Sequence, residues 1–449
     1  MDSTALNTFN KIVADTTIEN HFFVTVNPIE SVAVEKAIPI LLPSHSDTIV
    51  NFTHNWLDYR ADSNYVWHGF LYEKDSSYIH TGRGTLISED GKKYGSFRID
   101  SIYYDLIDLG GNTNILVQYE HTELELECGV PEFDSLATPP EPPDSSLIAE
   151  YRDTGPCPIN VLILYSEGGE AKVQNNIQQI ANISFEQTLD VLRNSDIRAS
   201  DFHLNLVGIE FLPKFNELVG FGGVWNELLQ RWTFSAPDNS IIYYLTNPIQ
   251  SPTNDLYILR EEHEADWVLI LGEVDGWIPG LSGVAVLGPN ENAPVAIVDA
   301  GKSTKNYLFV HELGHLFGCH HEECSAPWAV NCVHENIQAR HPHRWKNKKW
   351  GGLSNAHRFS VMYSLDSEKT RAFFSNPDVE NAEGNKTGTE WRNNAAWLKD
   401  MGCIISNWSK NETPPLFSHI TAPTKACTCA HVTFHAHAEG GTWESYHYT

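Results

Sequence analysis

The chain has 449 residues, 41% hydrophobic and 11% aromatic, enough apolar material for about three domains of ~150 residues, and this composition excludes a disordered chain. Acidic residues outnumber basic ones by 58 to 30, a formal charge of −28, and a field of that sign repels phosphate backbones, so nucleic acid is not an expected partner. No apolar run approaches the ~20 residues that span a bilayer, so no transmembrane segment is expected.

The opening MDSTALNTFNKIVADTT lacks the charged and apolar regions of a signal peptide. A cytosolic chain, or an exported one whose leader lies outside the given sequence, fits that start equally. Residues from about 20 to 125 read as strands. YVWHGFLYE (65–73), YIHTGRGTLIS (78–88), YGSFRID (94–100), SIYYDLIDL (101–109) and NILVQYEH (114–121) are rich in β-branched and aromatic residues, with turns at Asp90-Gly91 and Gly110-Gly111. They predict an antiparallel β-rich domain over 1–135. The stretch 136–156, LATPPEPPDSSLIAEYRDTGP, is too proline-rich and acidic for a helix or central strand and reads as an exposed linker.

From Ile159 strands and helices alternate, the grammar of an α/β domain, expected over 157–410. INVLILYS (159–166) is a buried-strand run. Ile177, Ile180, Ile183 and Leu192 keep helical spacing within a long amphipathic helix from about 170 to 193. HLNLVGIEFL (203–212), DWVLILGE (266–273) and APVAIVDA (293–300) are further strands, and the short GVAVLG (283–288) has the form of an edge strand. A helix is expected from about Ser303 to Phe317. After Gly318 the patterning fades for about 50 residues, and the basic run RHPHRWKNKK (340–349) reads as a solvated loop near a cleft rim. Residues 411–449 form a tail or the truncated start of a β module.

The segment HELGHLFGCHH (311–321) carries the chemistry. His311 and His315, four residues apart, share one helix face and reach one ion. Glu312 is rotated about 100° from His311, beside the ion rather than on it, as suits a base acting on water. Gly318 can take a positive φ, end the helix and turn the chain so that His321 supplies a third imidazole. Three neutral imidazoles leave a fourth tetrahedral position for water, the mark of a catalytic zinc site. His320 is one residue out of register. One Zn²⁺ is expected, and no residue pattern supports a Ca²⁺ ion.

These residues match HExxHxxGxxH and resemble the metzincin clan of zinc proteases. The resemblance implies a zincin-like α/β catalytic domain with a mixed sheet and an active-site helix, and a methionine turn under the metal. Met362, one of three methionines, follows His321 by 41 residues in FSVMYS. The segment 371–398, RAFFSNPDVENAEGNKTGTEWRNNAAWL, looks like the one following the methionine turn in bacterial reprolysin-like (adamalysin-related) enzymes. Two departures stand: Glu322 replaces the usual Asp after the third histidine, and Ser364, not a tyrosine, lies two residues past Met362. The implied partner is a polypeptide, its backbone added to the edge strand.

Five of the eight cysteines follow the histidine cluster in loop-like sequence, and none forms a CxxC pair, which favours disulfides, an oxidising compartment and a secreted protein. Cys128, in ELECGVPE just before the linker, resembles the pro-domain cysteine that blocks the metal in metzincin zymogens. The alternative for Cys128 is a disulfide, for instance to Cys157 across the linker. The sequence therefore predicts a latent zinc endopeptidase, a β-rich pro-domain followed by the catalytic domain. Two alternatives stay open: a catalytically silent zinc-containing binding or adhesion module, and a zinc hydrolase of a non-peptide substrate.

Overall fold

The computed structural model describes residues within 3–119, Glu127 and Cys128, and residues within 157–212, 223–234, 253–321, 340–363, 370–406, 417–421 and 435–439. The expected linker lies outside them.

Helix α1 (Ser3–Ala14), absent from the sequence reading, precedes an eight-stranded antiparallel sheet. Its strands are β1 (Ile18–Val24), β2 (Ile38–Leu42), β3 (Thr48–Ala61), β4 (Asn64–Lys74), β5 (Ile79–Glu89), β6 (Lys92–Ile99), β7 (Ile102–Asp108) and β8 (Asn114–Tyr119), in the order β1-β8-β7-β6-β5-β4-β3-β2. The five expected strands correspond to β4 to β8. Side chains alternate between faces with period two. One face carries Trp67, Leu71, Leu86, Phe97, Tyr104 and Leu106 in a continuous apolar cluster running from Phe52 to Leu116. The other face is buried yet partly polar, with His68, Thr85, Ser96, Arg98 and Asp105. It is buried because the second unit packs on it.

That unit holds a mixed sheet ordered β11-β10-β14-β16-β15-β9. Its members are β9 (Glu127–Cys128), β10 (Pro158–Tyr165), β11 (His203–Phe211), β14 (Trp267–Gly272), β15 (Leu281–Ala285) and β16 (Val295–Asp299). Two short strands, β12 (Gly223–Asn226) and β13 (Arg231–Phe234), form a separate hairpin. Strands β11, β10, β14 and β16 run parallel, whereas β15 is antiparallel to β16. Buried on both faces, β14 reads WVLILG without alternation.

The predicted long helix is two: α2 (Glu167–Lys172), capped by Ser166 Oγ accepting from Gly169 N, and α3 (Ile177–Asn194). Between them Gln174 takes φ +50°, which breaks the helix. On one face of the sheet, α3, α5 (Leu308–Leu316) and α6 (Asn394–Ile405) enclose a core that includes Val161, Ile180, Phe185, Leu313, Phe317 and Leu398. On the other face, α4 (Thr253–Glu262) supplies Leu256 and Tyr257 against Leu162, Val268, Ile270 and Ile297. Helix α5 begins later than expected, because Asn306 and Tyr307 hold φ +53° and +62°.

Three further expectations are corrected. The GVAVLG strand is not the sheet's edge: the backbone of β9, from the N-terminal region, pairs with β15 on its outer side. Cys157 is bonded to Cys403, Cα to Cα 4.9 Å, so it is not the partner of Cys128; the two half-cystines meet because α6 packs back against the start of β10. The basic run is not a solvated loop throughout: Arg340 and Trp345 are buried, and β17 (Arg344–Lys346) pairs with β18 (His357–Phe359). A last hairpin joins β19 (Phe417–Thr421) to β20 (His435–Glu439).

The two units meet along α3. Ile183 packs with Val66, Ile87 and Tyr94. Asn55 Nδ2 donates to Asp190 and Asn194 at 2.9 and 3.1 Å, Arg83 pairs with Asp190 at 3.4 Å, and Arg60 pairs with buried Glu186. The Arg193 guanidinium lies 3.3 Å from the centre of the Trp56 ring, which stacks in turn on His68.

Candidate metal centre

Helix α5 is buried along its whole length, its polar His311, Glu312 and His315 included, so its two histidines point into protein rather than solvent. Burial holds His311 down at about pH 4 and His315 well below the ordinary imidazole range, so both rings are neutral, as metal ligands must be. Each ring is oriented by a backbone carbonyl. His311 Nδ1 donates to Val361 O at 2.8 Å and His315 Nδ1 to Cys319 O at 2.7 Å. With the proton fixed on Nδ1, the lone pair of each Nε2 faces inward.

After Gly318, at φ +93°, the chain reverses and brings His321 to the same point. The three Nε2 atoms lie 2.8, 3.1 and 3.0 Å apart. Tetrahedral bonds of about 2.0–2.1 Å to one ion require nitrogens about 3.3 Å apart, so the triangle is of the size a small divalent cation needs. Among the described residues this is the one group of three or more ligand-type side chains that fits a metal, and its members are those expected from the motif. His320 lies outside it. Burial pushes the neighbouring Cys319 thiol up to about 12, so it is not a competing thiolate.

Glu312 is fully buried beside the cluster, against β15: a Cβ added at Gly283 would lie 2.5 Å from Glu312 Oε1. Met362 is also fully buried, packed against Gly314 on the helix face between the two histidine turns, where a Cβ would run into its Sδ. The preceding residue, Val361, supplies the carbonyl that orients His311. Cys128 enters through its backbone, which stands opposite Gly283 in the register of β9 and β15. The fold therefore gathers Glu312, the three histidines, Met362 and the Cys128 backbone around one point. Gly283 and the Val361 carbonyl carry no sequence signal, because the contacts that make them matter come from distant chain.

No protein-family model matches this chain, and no curated protein does. A solved structure described as that of a chaperone–substrate complex is similar at 16% identity and a TM-score of 0.38, over 57% of this chain and 35% of that one. This chain thus spans about a third of that chain's length. A likeness of that size bears on neither fold family nor function.

Proposed function

We propose that the chain is a zinc-dependent endopeptidase of metzincin type, made as a latent precursor. The observation that carries the reading is the convergence of three Nε2 lone pairs, two with their Nδ1 protons committed to backbone carbonyls, next to a buried carboxylate that is not itself in the ligand group. A purely structural site has no need of that carboxylate. When bound, zinc supplies an acidified water and polarises the scissile carbonyl.

The chain's own residues do the rest. His311, His315 and His321 would hold the ion through their Nε2 atoms. Glu312 takes the proton of the attacking water and passes it to the leaving amine nitrogen. Met362 excludes water beneath the histidines. Substrate backbone adds to the outer side of β15, where strand pairing fixes the scissile bond beside Glu312. That side is where β9 lies, and the Cys128–Gly283 register supports a latent state in which Cys128 closes the open coordination position. The Cys157–Cys403 disulfide supports an oxidising, extracellular setting. No described helix is long and apolar enough to cross a membrane.

The test is hydrolysis of an unstructured protein such as casein after the linker is cut, comparing the chain with its Glu312→Ala variant. A loss on the order of 10²–10⁴-fold is expected on removing the general base. Activity absent from both, or equal in both, overturns the reading.

A further inference from the structure

The last turn of α5 and the reversal after it must stay fixed for His321 to reach the ion, and a helix C-terminus leaves carbonyls with no intrahelical partner. Cys319 N donates to Gly314 O and Gly318 N to His315 O locally, and three carbonyls of the turn and reversal accept from residues elsewhere in the chain. Gly288 N donates to His315 O at 2.8 Å, and Trp397 Nε1 donates to Phe317 O at 2.8 Å. Arg340 Nε donates to Gly318 O at 2.6 Å.

Arg340 does more than cap the helix. Its Nη2 donates to Gly288 O at 3.3 Å, just beyond β15, while its own carbonyl accepts from His320 N at 3.0 Å. The reversal is thus gripped at Gly318 and at His320, on either side of Cys319, whose carbonyl orients His315. The next residue is His321. Arg340 is only 2% exposed and its guanidinium stands 5.0 Å from the Trp397 ring, so packing holds it as well. A positive charge also suits a helix C-terminus. Arg340 thus bonds both the reversal and the segment just beyond the strand that contacts Glu312.

We infer that Arg340 is the positioning residue for the third metal ligand: through the backbone of 318–320 it sets His321 against His311 and His315 and ties that ligand to the β15 wall. The inference rests on the metal-site reading. Arg340 touches neither ion nor substrate, so its effect belongs in metal affinity and coordination geometry. The guanidinium spans Gly318 O and Gly288 O with donors on two separate nitrogens of a rigid plane, whereas a lysine has a single nitrogen on a flexible stem.

The experiment uses the full chain, stripped of metal and reloaded. Zinc affinity is read by competition with a chromophoric chelator, and coordination by the d–d spectrum of the Co²⁺-loaded protein, with His321→Ala as the benchmark for a lost third ligand. Arg340→Ala should bind zinc roughly 10–100-fold more weakly, the range for losing a support of a metal ligand. Its Co²⁺ spectrum should shift toward that of His321→Ala. Millimolar guanidinium should restore Arg340→Ala and leave His321→Ala unchanged. If Arg340→Ala does not fold, Arg340→Lys carries the test, with an intermediate affinity and a shifted spectrum expected. Zinc affinity within about threefold of the native chain, with an unaltered Co²⁺ spectrum, in the folded variant overturns the inference and leaves the metal site standing. A native chain that takes up no zinc overturns both.

Discussion

A methyl group at Gly283 would stand 2.5 Å from Oε1 of Glu312 and 2.9 Å from its Cδ and Cγ, closer than carbon atoms are found in folded proteins. The carboxylate would have to move, and a displacement of about 1 Å at a reacting group can cost on the order of 100-fold in rate. Gly283→Ala is therefore expected to lower kcat/KM on casein by roughly that factor with zinc affinity unchanged, since Glu312 is not in the ligand triangle. Chelator competition and peptide hydrolysis on one preparation check it, and a parallel loss of zinc would show that the glycine serves the ligands instead. This residue marks the limit of what the sequence disclosed. His311, Glu312, His315, Gly318 and His321 are legible because their relation is local: an i, i+4 pair on a helix, then a residue able to take positive φ. Gly283 and Arg340 act on the same site across the fold. One has no side chain to signal a role, and the other bonds main-chain carbonyls, which leave no trace in residue identity.

Strands leave a clearer trace in the sequence than helix ends do. The expected strands at 65–73, 78–88, 159–166 and 266–273 correspond to β4, β5, β10 and β14, because alternation or a continuous apolar run between turn residues is written in consecutive positions. Helix breaks leave no such trace where non-glycine residues, Gln174 and the Asn306–Tyr307 pair, adopt positive φ. The pairing of β9 with β15 was also beyond reach, since it joins residues more than 150 positions apart in sequence. That pairing carries a prediction about latency. If the Cys128 sulfur on the metal is what anchors the two-residue β9 on β15, Cys128→Ser releases that anchor and lets substrate displace the strand, so the uncut chain should cleave a short fluorogenic peptide that the native uncut chain does not. Activity should reach a sizeable fraction of the linker-cut enzyme. Unchanged latency in Cys128→Ser would mean that the strand alone, or a disulfide of Cys128, does the blocking.

Among the described residues, one disulfide and one polar interface hold distant segments together. The Cys157–Cys403 bond spans 246 residues, and closing a loop of that length stabilises by about 5 kcal/mol in the chain-entropy treatment. The Cys157→Ser, Cys403→Ser double variant should lose about 2–5 kcal/mol in denaturant unfolding, and a loss below about 1 kcal/mol would assign the bond little structural weight. The interface along α3 has a different sensitivity. His68 is buried where β4 faces α3, its Nδ1 3.1 Å from Thr85 Oγ1, and burial lowers it from 6.5 to about 4. Asp190 and Arg193 face it from α3, Arg83 from β5 and Arg60 from β3, so three cations and one carboxylate surround the ring. In the docked state His68 stays neutral down to about pH 4, whereas an imidazole released to water protonates near 6.5. Between those values the separated state binds more protons, so docking is at full strength above about 6.5, weakens as pH falls toward 4, and changes no further below it. The lost contribution is at most about 3 kcal/mol. Buried Glu186 works the other way: its carboxyl is raised by desolvation, so acid neutralises it within the docked state. A substitution at His68 separates the two. Hydrogen exchange of the full chain, corrected for intrinsic rates, should show β3, β4 and α3 losing protection between pH 6.5 and 4 while β10 and β14 keep theirs. His68→Gln can retain a hydrogen bond to Thr85 but cannot take up a proton, and it should hold the interface closed across that window. Loss of protection at the same pH in both proteins would remove His68 from the acid response.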